Sequence, residues 1–144
     1  MKFYNLLTSV RQSEINQTIK AMSALETEFL IDFYKKVSLV EYTDESGFEC
    51  MFILLNPLLI KDLGNLYTQH GIKFTLLDIT EDVVFDNPIK TKYRNYLGQP
   101  CHRKVLNLIR EFKRDWMTVD DVLDKILKSG IKSLTELDYK ILRS

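Results

Sequence analysis

The stretch Val37–Leu55 constrains the fold most, because it predicts a β-hairpin around which the rest of the chain must pack. Val37–Thr43 (VSLVEYT) is rich in strand formers, and Phe48–Leu55 (FECMFILL) is a nearly continuous apolar run. Asp44–Gly47 lies between them as a polar turn that ends in glycine. The apolar run is typical of a central strand, so we expect a sheet with this strand in its interior.

A helix and a third strand are predicted to follow the hairpin. Asn56 suits an N-cap, Pro57 suits the first helical position and Gly71 suits the stop after the helix. The apolar residues between them recur on one helical face: Leu59, Leu63, Leu66 and Tyr67. Ile72–Ile79 then has the composition of a strand, and the hairpin–helix–strand unit is common in α+β proteins.

Residues 13–35 carry apolar side chains at helical spacings of three and four: Ile15, Ile19, Met22, Phe29 and Phe33. Ser23 and Glu26 match a capping box, so the stretch is either one helix or two. Met1–Val10 fits either a first strand or a helical lead-in.

The C-terminal part is predicted to be helical. Residues 88–100 are polar, basic and irregular, and three helices follow over residues 101–116, from Thr118 to Gly130, and from Ser133 or Thr135 to about Leu142. We therefore predict an α+β fold with a small antiparallel or mixed sheet, an N-terminal helix and a C-terminal three-helix segment. The predicted organisation is a body (1–87), a basic loop (88–100) and a helical segment (101–144) that packs on the body, because 44 residues alone make a marginal core.

Composition places the chain among soluble globular proteins. It has 144 residues, 45% of them hydrophobic, with 5 glycines and 3 prolines. No apolar run approaches the roughly 20 residues that span a bilayer, and the N-terminus lacks the apolar core of a signal peptide. The two cysteines are too few for a disulfide framework, so we expect a reducing, cytoplasmic location.

Positive charge is concentrated in one segment although the net charge is zero. Residues 90–114 hold 8 basic side chains and 1 acidic one, whereas residues 1–89 hold 7 and 13. Cations neutralise phosphates and tyrosines stack on bases, so the segment is a candidate nucleic-acid surface. Two other interpretations stay open: a solvated helix face, and docking onto an acidic surface of either another protein or the acidic residues 1–89 of this chain. The candidate binding residues are Lys90, Lys92, Tyr93, Arg94, Tyr96, Arg103, Lys104, Arg110, Lys113 and Arg114.

Catalytic, metal and cofactor motifs are absent from the sequence. Cys50, His70, Cys101 and His102 lack metal-ligand spacing, and no glycine-rich phosphate loop occurs, so we expect no cofactor and no metal. A Cys101 thiolate at a helix start could act as a nucleophile, but the favoured interpretation is a surface residue that opens a helix. Paired carboxylates at residues 81–82 and 120–121 suit helix starts.

The last 26 residues carry a recognisable pattern. Its elements are Asp121, Leu123–Ile126, Ser129–Gly130, Ser133–Thr135, Leu142 and Ser144. This pattern resembles a small C-terminal domain of unknown function that is appended to some bacterial rhomboid-family proteases, notably in Bacteroidetes. The resemblance implies a bacterial origin and a non-catalytic appendage, and it transfers no catalytic residue.

Three functions therefore stay open. The favoured one is a bacterial protein–protein interaction or regulatory module, which predicts an unusually large exposed apolar or charged patch. A nucleic-acid-binding protein predicts that the cations of residues 90–114 converge, with Tyr93 and Tyr96 exposed. A small enzyme predicts a deep pocket that holds Cys101 or a carboxylate with a perturbed pKa.

Overall fold

A four-stranded antiparallel sheet lies at the centre of the protein, with helices on both faces. The computed structural model describes residues 1–89 and 100–144. The strands are β1 (Lys2–Arg11), β2 (Ser38–Thr43), β3 (Phe48–Leu55) and β4 (Phe74–Asp78). The helices are α1 (Ile15–Lys20), α2 (Ala24–Lys35), α3 (Ile60–Gln69), α4 (Thr80–Val84), α5 (His102–Asp115), α6 (Val119–Ser129) and α7 (Glu136–Arg143). The predicted α+β class is confirmed.

The strand order is β2-β3-β1-β4. The predicted hairpin forms, with Thr43 opposite Glu49 and Ser38 opposite Leu54. The ambiguous N-terminus is a strand, and β1 lies between β3 and β4. Consecutive side chains Phe3–Leu6 are all buried, because this central strand is covered by helices on both faces.

One face of the sheet packs against the C-terminal helices. Phe3 and Phe52 of the sheet share one hydrophobic cluster with Val105 and Phe112 of α5 and Val122 of α6. The rings of Phe3 and Phe112 meet edge to face with their centroids 6.1 Å apart. The helices of residues 102–143 therefore complete the core on this face.

The opposite face packs against the N-terminal helices and α3. Leu6 and Ile53 of the sheet cluster with Phe33 of α2 and with Leu63 and Tyr67 of α3. The helical pattern of residues 13–35 proves to be two helices. The second begins at the predicted capping box, in which the backbone N–H of Glu26 donates to Ser23 and that of Ser23 donates to Glu26.

A buried cluster of charges joins the C-terminal helices. Lys125 of α6 and Asp138 of α7 are fully buried, and the lysine Nζ donates to the aspartate Oδ2 over 2.7 Å. The same Nζ pairs with Asp86, just beyond α4, which also pairs with Lys113 of α5. Asp138 in addition accepts from the backbone N–H of Thr135 and so caps α7. Four segments thus meet at one ionic cluster, in which Lys113, Lys125 and Asp138 are buried and Asp86 lies at the solvent-exposed edge.

Candidate interaction surface

Half of the basic segment lies in the described part of the chain. Lys90, Lys92, Tyr93, Arg94 and Tyr96 lie outside the described residues. Arg103, Lys104, Arg110 and Arg114 are exposed on α5. Arg103, Arg110 and Arg114 fall on one side of that helix because their spacings are seven and four residues.

Lys113 differs from the other predicted surface cations. It is buried at the edge of the apolar face of α5, and its ammonium is held by Asp86. It therefore contributes to the ionic cluster of the interior and not to the exposed surface. Arg114 is also engaged, since its Nη2 donates to Asp115 over 2.6 Å and this hydrogen bond raises its pKa.

Of the residues of the enzymatic alternative, Glu81 and Asp121 line one cavity of about 470 Å³, and Cys101 does not line it. Cys101 is buried at the start of α5, and burial raises the pKa of its thiol, whereas a thiolate nucleophile needs a lowered pKa. Glu81 pairs with Lys128, and Asp121 caps α6 through the backbone N–H of Thr118. Within residues 1–89 and 100–144, no group of three or more His, Cys, Asp or Glu side chains is arranged to hold a metal ion.

An exposed apolar stripe runs along α6. Val119, Leu123 and Leu127 recur every four residues, so they fall on one side of the helix. Their exposed fractions are 43%, 46% and 83%. The opposite side of α6 is buried through Val122 and Lys125. The helix is therefore apolar toward the solvent as well as toward the core.

The apolar series continues at both ends of α6. Trp116 precedes the helix and is 45% exposed, and Ile131 follows it and is 63% exposed. These two residues extend the exposed apolar series beyond both ends of the α6 stripe. Asp120 lies in the first turn of α6 and Lys128 in its last turn, where the lysine ammonium pairs with Glu81 and lies over the ring of Phe85.

The sequence predicted the apolar residues of α6 but not their exposure. Five of its 11 residues are apolar: Val119, Val122, Leu123, Ile126 and Leu127. On a helical wheel the five residues cover a wider arc than a single buried stripe. Val119, Leu123 and Leu127 extend this arc to one side of Val122 and Ile126. That width is the signal that would have revealed a second apolar face.

No similarity to a known protein bears on the function of this chain. Neither the protein-family models, nor the curated proteins, nor the solved structures contain a match for this chain. In the part of the chain that the structure describes, no helix is both long enough and apolar enough to cross a membrane.

Proposed function

We propose that this chain is a protein–protein interaction module, and that α6 pairs in antiparallel orientation with α6 of a second copy. The exposed stripe of Val119, Leu123 and Leu127 carries this proposal. Side chains with this spacing are the anchors by which an amphipathic helix docks against another helix. Pairing would remove from water the apolar surface that the folded monomer leaves exposed.

The pattern of α6 favours a second copy as the partner. A two-fold axis at Leu123 places this residue against Leu123 of the other copy and Val119 against Leu127. The same operation brings Asp120 near Lys128 of the other copy. Opposite charges thus meet beside both ends of the apolar contact, as expected of a self-complementary antiparallel pair.

The size of the stripe indicates a reversible dimer. A contact through one face of an 11-residue helix is small beside the roughly 1,600 Å² of a typical specific interface. The exposed ion pair of Lys128 with Glu81 competes with its contact across the interface, and exposed pairs are weak. We therefore expect a dissociation constant in the micromolar range or above, so that the concentration of the protein determines how much of it is dimeric.

Disulfide cross-linking tests both the contact and its direction. In an antiparallel pair centred on Leu123, Leu123→Cys forms a covalent dimer on oxidation. Val119→Cys alone does not, because the two copies of residue 119 lie about 12 Å apart along the axis, beyond the reach of a disulfide. Mixing Val119→Cys with Leu127→Cys restores the cross-link. A covalent dimer from Val119→Cys alone would contradict the antiparallel pairing.

A matched leucine serves as the control. Leu58 is 82% exposed and lies in the turn before α3. Sedimentation of the unmodified chain over a range of concentrations should show a species of twice 17.0 kDa. Leu123→Glu should abolish that species, because two carboxylates would meet at the two-fold axis, and Leu58→Glu should leave it unchanged. A monomer at all concentrations, or equal effects of the two variants, would refute the proposal.

The resemblance of Val119–Ser144 to an appended bacterial domain supports an interaction role, because the exposed stripe lies within that segment. A bacterial origin, as that resemblance implies, is part of the proposal. So is a cytoplasmic location, which is supported by the two free thiols, Cys50 and Cys101.

Nucleic-acid binding is the second candidate, and the alignment of Arg103, Arg110 and Arg114 on α5 favours it. A salt series with single- and double-stranded nucleic acid tests it, using Arg103→Glu/Arg110→Glu beside the unmodified chain. Binding that weakens steeply with salt and disappears in the variant would support this candidate. Equal binding by the variant and the unmodified chain would rule out this candidate.

A further inference from the structure

A cavity of about 320 Å³ lies between the N-terminal helices and the sheet. Its walls are apolar and come from Ile15 and Ile19 of α1, Met22 of the following turn and Leu30 of α2. This volume is at the lower end of the range of small-molecule sites. The cavity is on the opposite face of the sheet from α5 and α6, so it is independent of the proposed interaction surface.

Two carboxylates project from the sheet into this apolar cavity. Glu41 of β2 and Glu49 of β3 are diagonal neighbours, because Glu41 lies opposite Met51 and Thr43 lies opposite Glu49. Tyr34 of α2 and Tyr67 of α3 also line the cavity. Among the described residues, no cation pairs with either carboxylate.

Glu49 is the least satisfied polar group of the cavity. Its Oε1 is buried and has no hydrogen-bond partner. Burial, and next the charge of Glu41, raise the pKa of Glu49 to about 7. Burial and the same two carboxylates raise the pKa of Tyr34 to about 12, so that this phenol stays neutral. The cavity thus combines negative potential with apolar walls, and it contains no cation of its own.

We propose that the cavity binds a small organic ammonium compound, with the ammonium at Glu41 and Glu49 and an aliphatic or aromatic body against Ile15, Ile19 and Leu30. The ammonium would supply the hydrogen-bond donor that Glu49 Oε1 lacks, and a positive charge to balance the two carboxylates. The ring faces of Tyr34 and Tyr67 would add cation–π attraction. An alcohol of the same shape would make the same apolar contacts with the cavity walls but would not balance the negative charge of the carboxylates.

The ionisation of Glu49 makes the binding depend on pH. The ionisable groups that face it are Glu41 from β2, Tyr34 from α2 and Tyr67 from α3, while α1 contributes Ile15, Thr18 and Ile19. An ammonium binds only the ionised carboxylate. Where Glu49 is protonated, its carboxyl group must therefore release its proton to the solvent before the ammonium binds. Between pH 6 and 8 the ionised fraction of a group with a pKa near 7 rises about tenfold, so the affinity should rise by about the same factor.

Calorimetric titration with 4-phenylbutylamine tests the proposal on the full chain. The control ligands are 4-phenylbutanol, which has the same shape without charge, and 4-phenylbutyrate, which has the opposite charge. We expect the amine to bind at least about tenfold more tightly than the alcohol at pH 8, and the acid not to bind. Equal affinities of amine and alcohol, or no binding of the amine at millimolar concentrations, would overturn the proposal.

Three variants locate the binding. Glu49→Gln should weaken binding of the amine about tenfold or more and remove its pH dependence. Glu41→Gln should weaken it less, and it provides a second test if Glu49→Gln is unstable. Glu28→Gln is the matched control, because it removes the same charge from an exposed position of α2 outside the cavity. Unchanged affinity in both cavity variants, or an equal loss in Glu28→Gln, would refute the site.

Discussion

Replacement of Lys125 by methionine should destabilise the protein more than any surface substitution. The lysine is fully buried and donates to Asp138 and Asp86. Methionine has a similar length and fits the same space, so Lys125→Met removes the charge with little change in packing. Asp138 would then keep its negative charge in the interior with only the groups of Thr135 as donors.

The expected loss follows from the environment of Asp138. Its Oδ1 already lacks a hydrogen-bond partner, so the pairing with Lys125 is the main compensation of its charge. Removal of one member of a buried ion pair costs about 3–5 kcal/mol. For a chain of this length the melting temperature should fall by about 10–15 °C, because each kcal/mol corresponds to about 3 °C.

The double variant Lys125→Met/Asp138→Asn separates charge from packing. The asparagine amide keeps an acceptor for the cap of α7, while the buried charge is gone. We expect this variant to lose only about 1–2 kcal/mol, because replacing both members of a buried pair is often nearly neutral. Urea denaturation of the unmodified chain, both single variants and the double variant gives the coupling free energy.

The pH dependence provides a second measurement. Burial opposes the charge on Lys125, but its hydrogen bonds to Asp138 and Asp86 outweigh burial and raise its pKa. Burial likewise opposes the charge on Asp138, but the hydrogen bonds from Lys125 and Thr135 lower its pKa. The pair should therefore stabilise the fold fully between about pH 4 and 10. This contribution is lost as the pH falls through the lowered pKa of Asp138 or rises through the raised pKa of Lys125. A loss below about 1 kcal/mol in Lys125→Met, or strictly additive variants, would refute the reasoning.

Two further predictions concern the core. Tyr42→Phe should lower the free energy of unfolding by about 1–2 kcal/mol, because the buried phenol donates a hydrogen bond to Asn5 Oδ1 over 2.8 Å. Urea denaturation measures this change, and an unchanged midpoint would contradict the hydrogen bond. Cys50 and Cys101 should both resist a thiol reagent such as Ellman's in the folded protein and react fully after unfolding, because burial raises the pKa of each thiol. Rapid labelling of either thiol before unfolding would show that its site is open.

The sequence was most informative where a local signal decides the structure. The turn Asp44–Gly47, the N-cap at Asn56 and the capping box of Ser23 each determine backbone geometry within a few residues. Such signals are sufficient to identify the hairpin and the start of α2. Asn56 caps the 3-10 helix Pro57–Leu59, and α3 itself begins three residues after the predicted Pro57, at Ile60. The strand β4 is shorter than the predicted Ile72–Ile79, because strand formers continue beyond the residues that pair with β1.

What the sequence missed depends on contacts between distant segments. Burial of Lys113 and Lys125 requires Asp86 and Asp138, which are brought to them only by the packing of four segments. The cavity at Glu49 likewise depends on the arrangement of α1 and α2 over the sheet. A charged residue appears in a sequence as a surface residue until its partner across the fold is known.

The central position of β1 has a consequence for how the chain acquires its structure. The strand β1 leaves the ribosome before both of the strands that pair with it, which are Phe48–Leu55 on one side and Phe74–Asp78 on the other. Its apolar side chains therefore have no sheet partners until residue 55 has been synthesised, and their second edge stays open until residue 78. Pairing over such separations is slow and leaves the nascent segment prone to aggregation. A chaperone that shields Lys2–Arg11 during translation should raise the yield of folded protein.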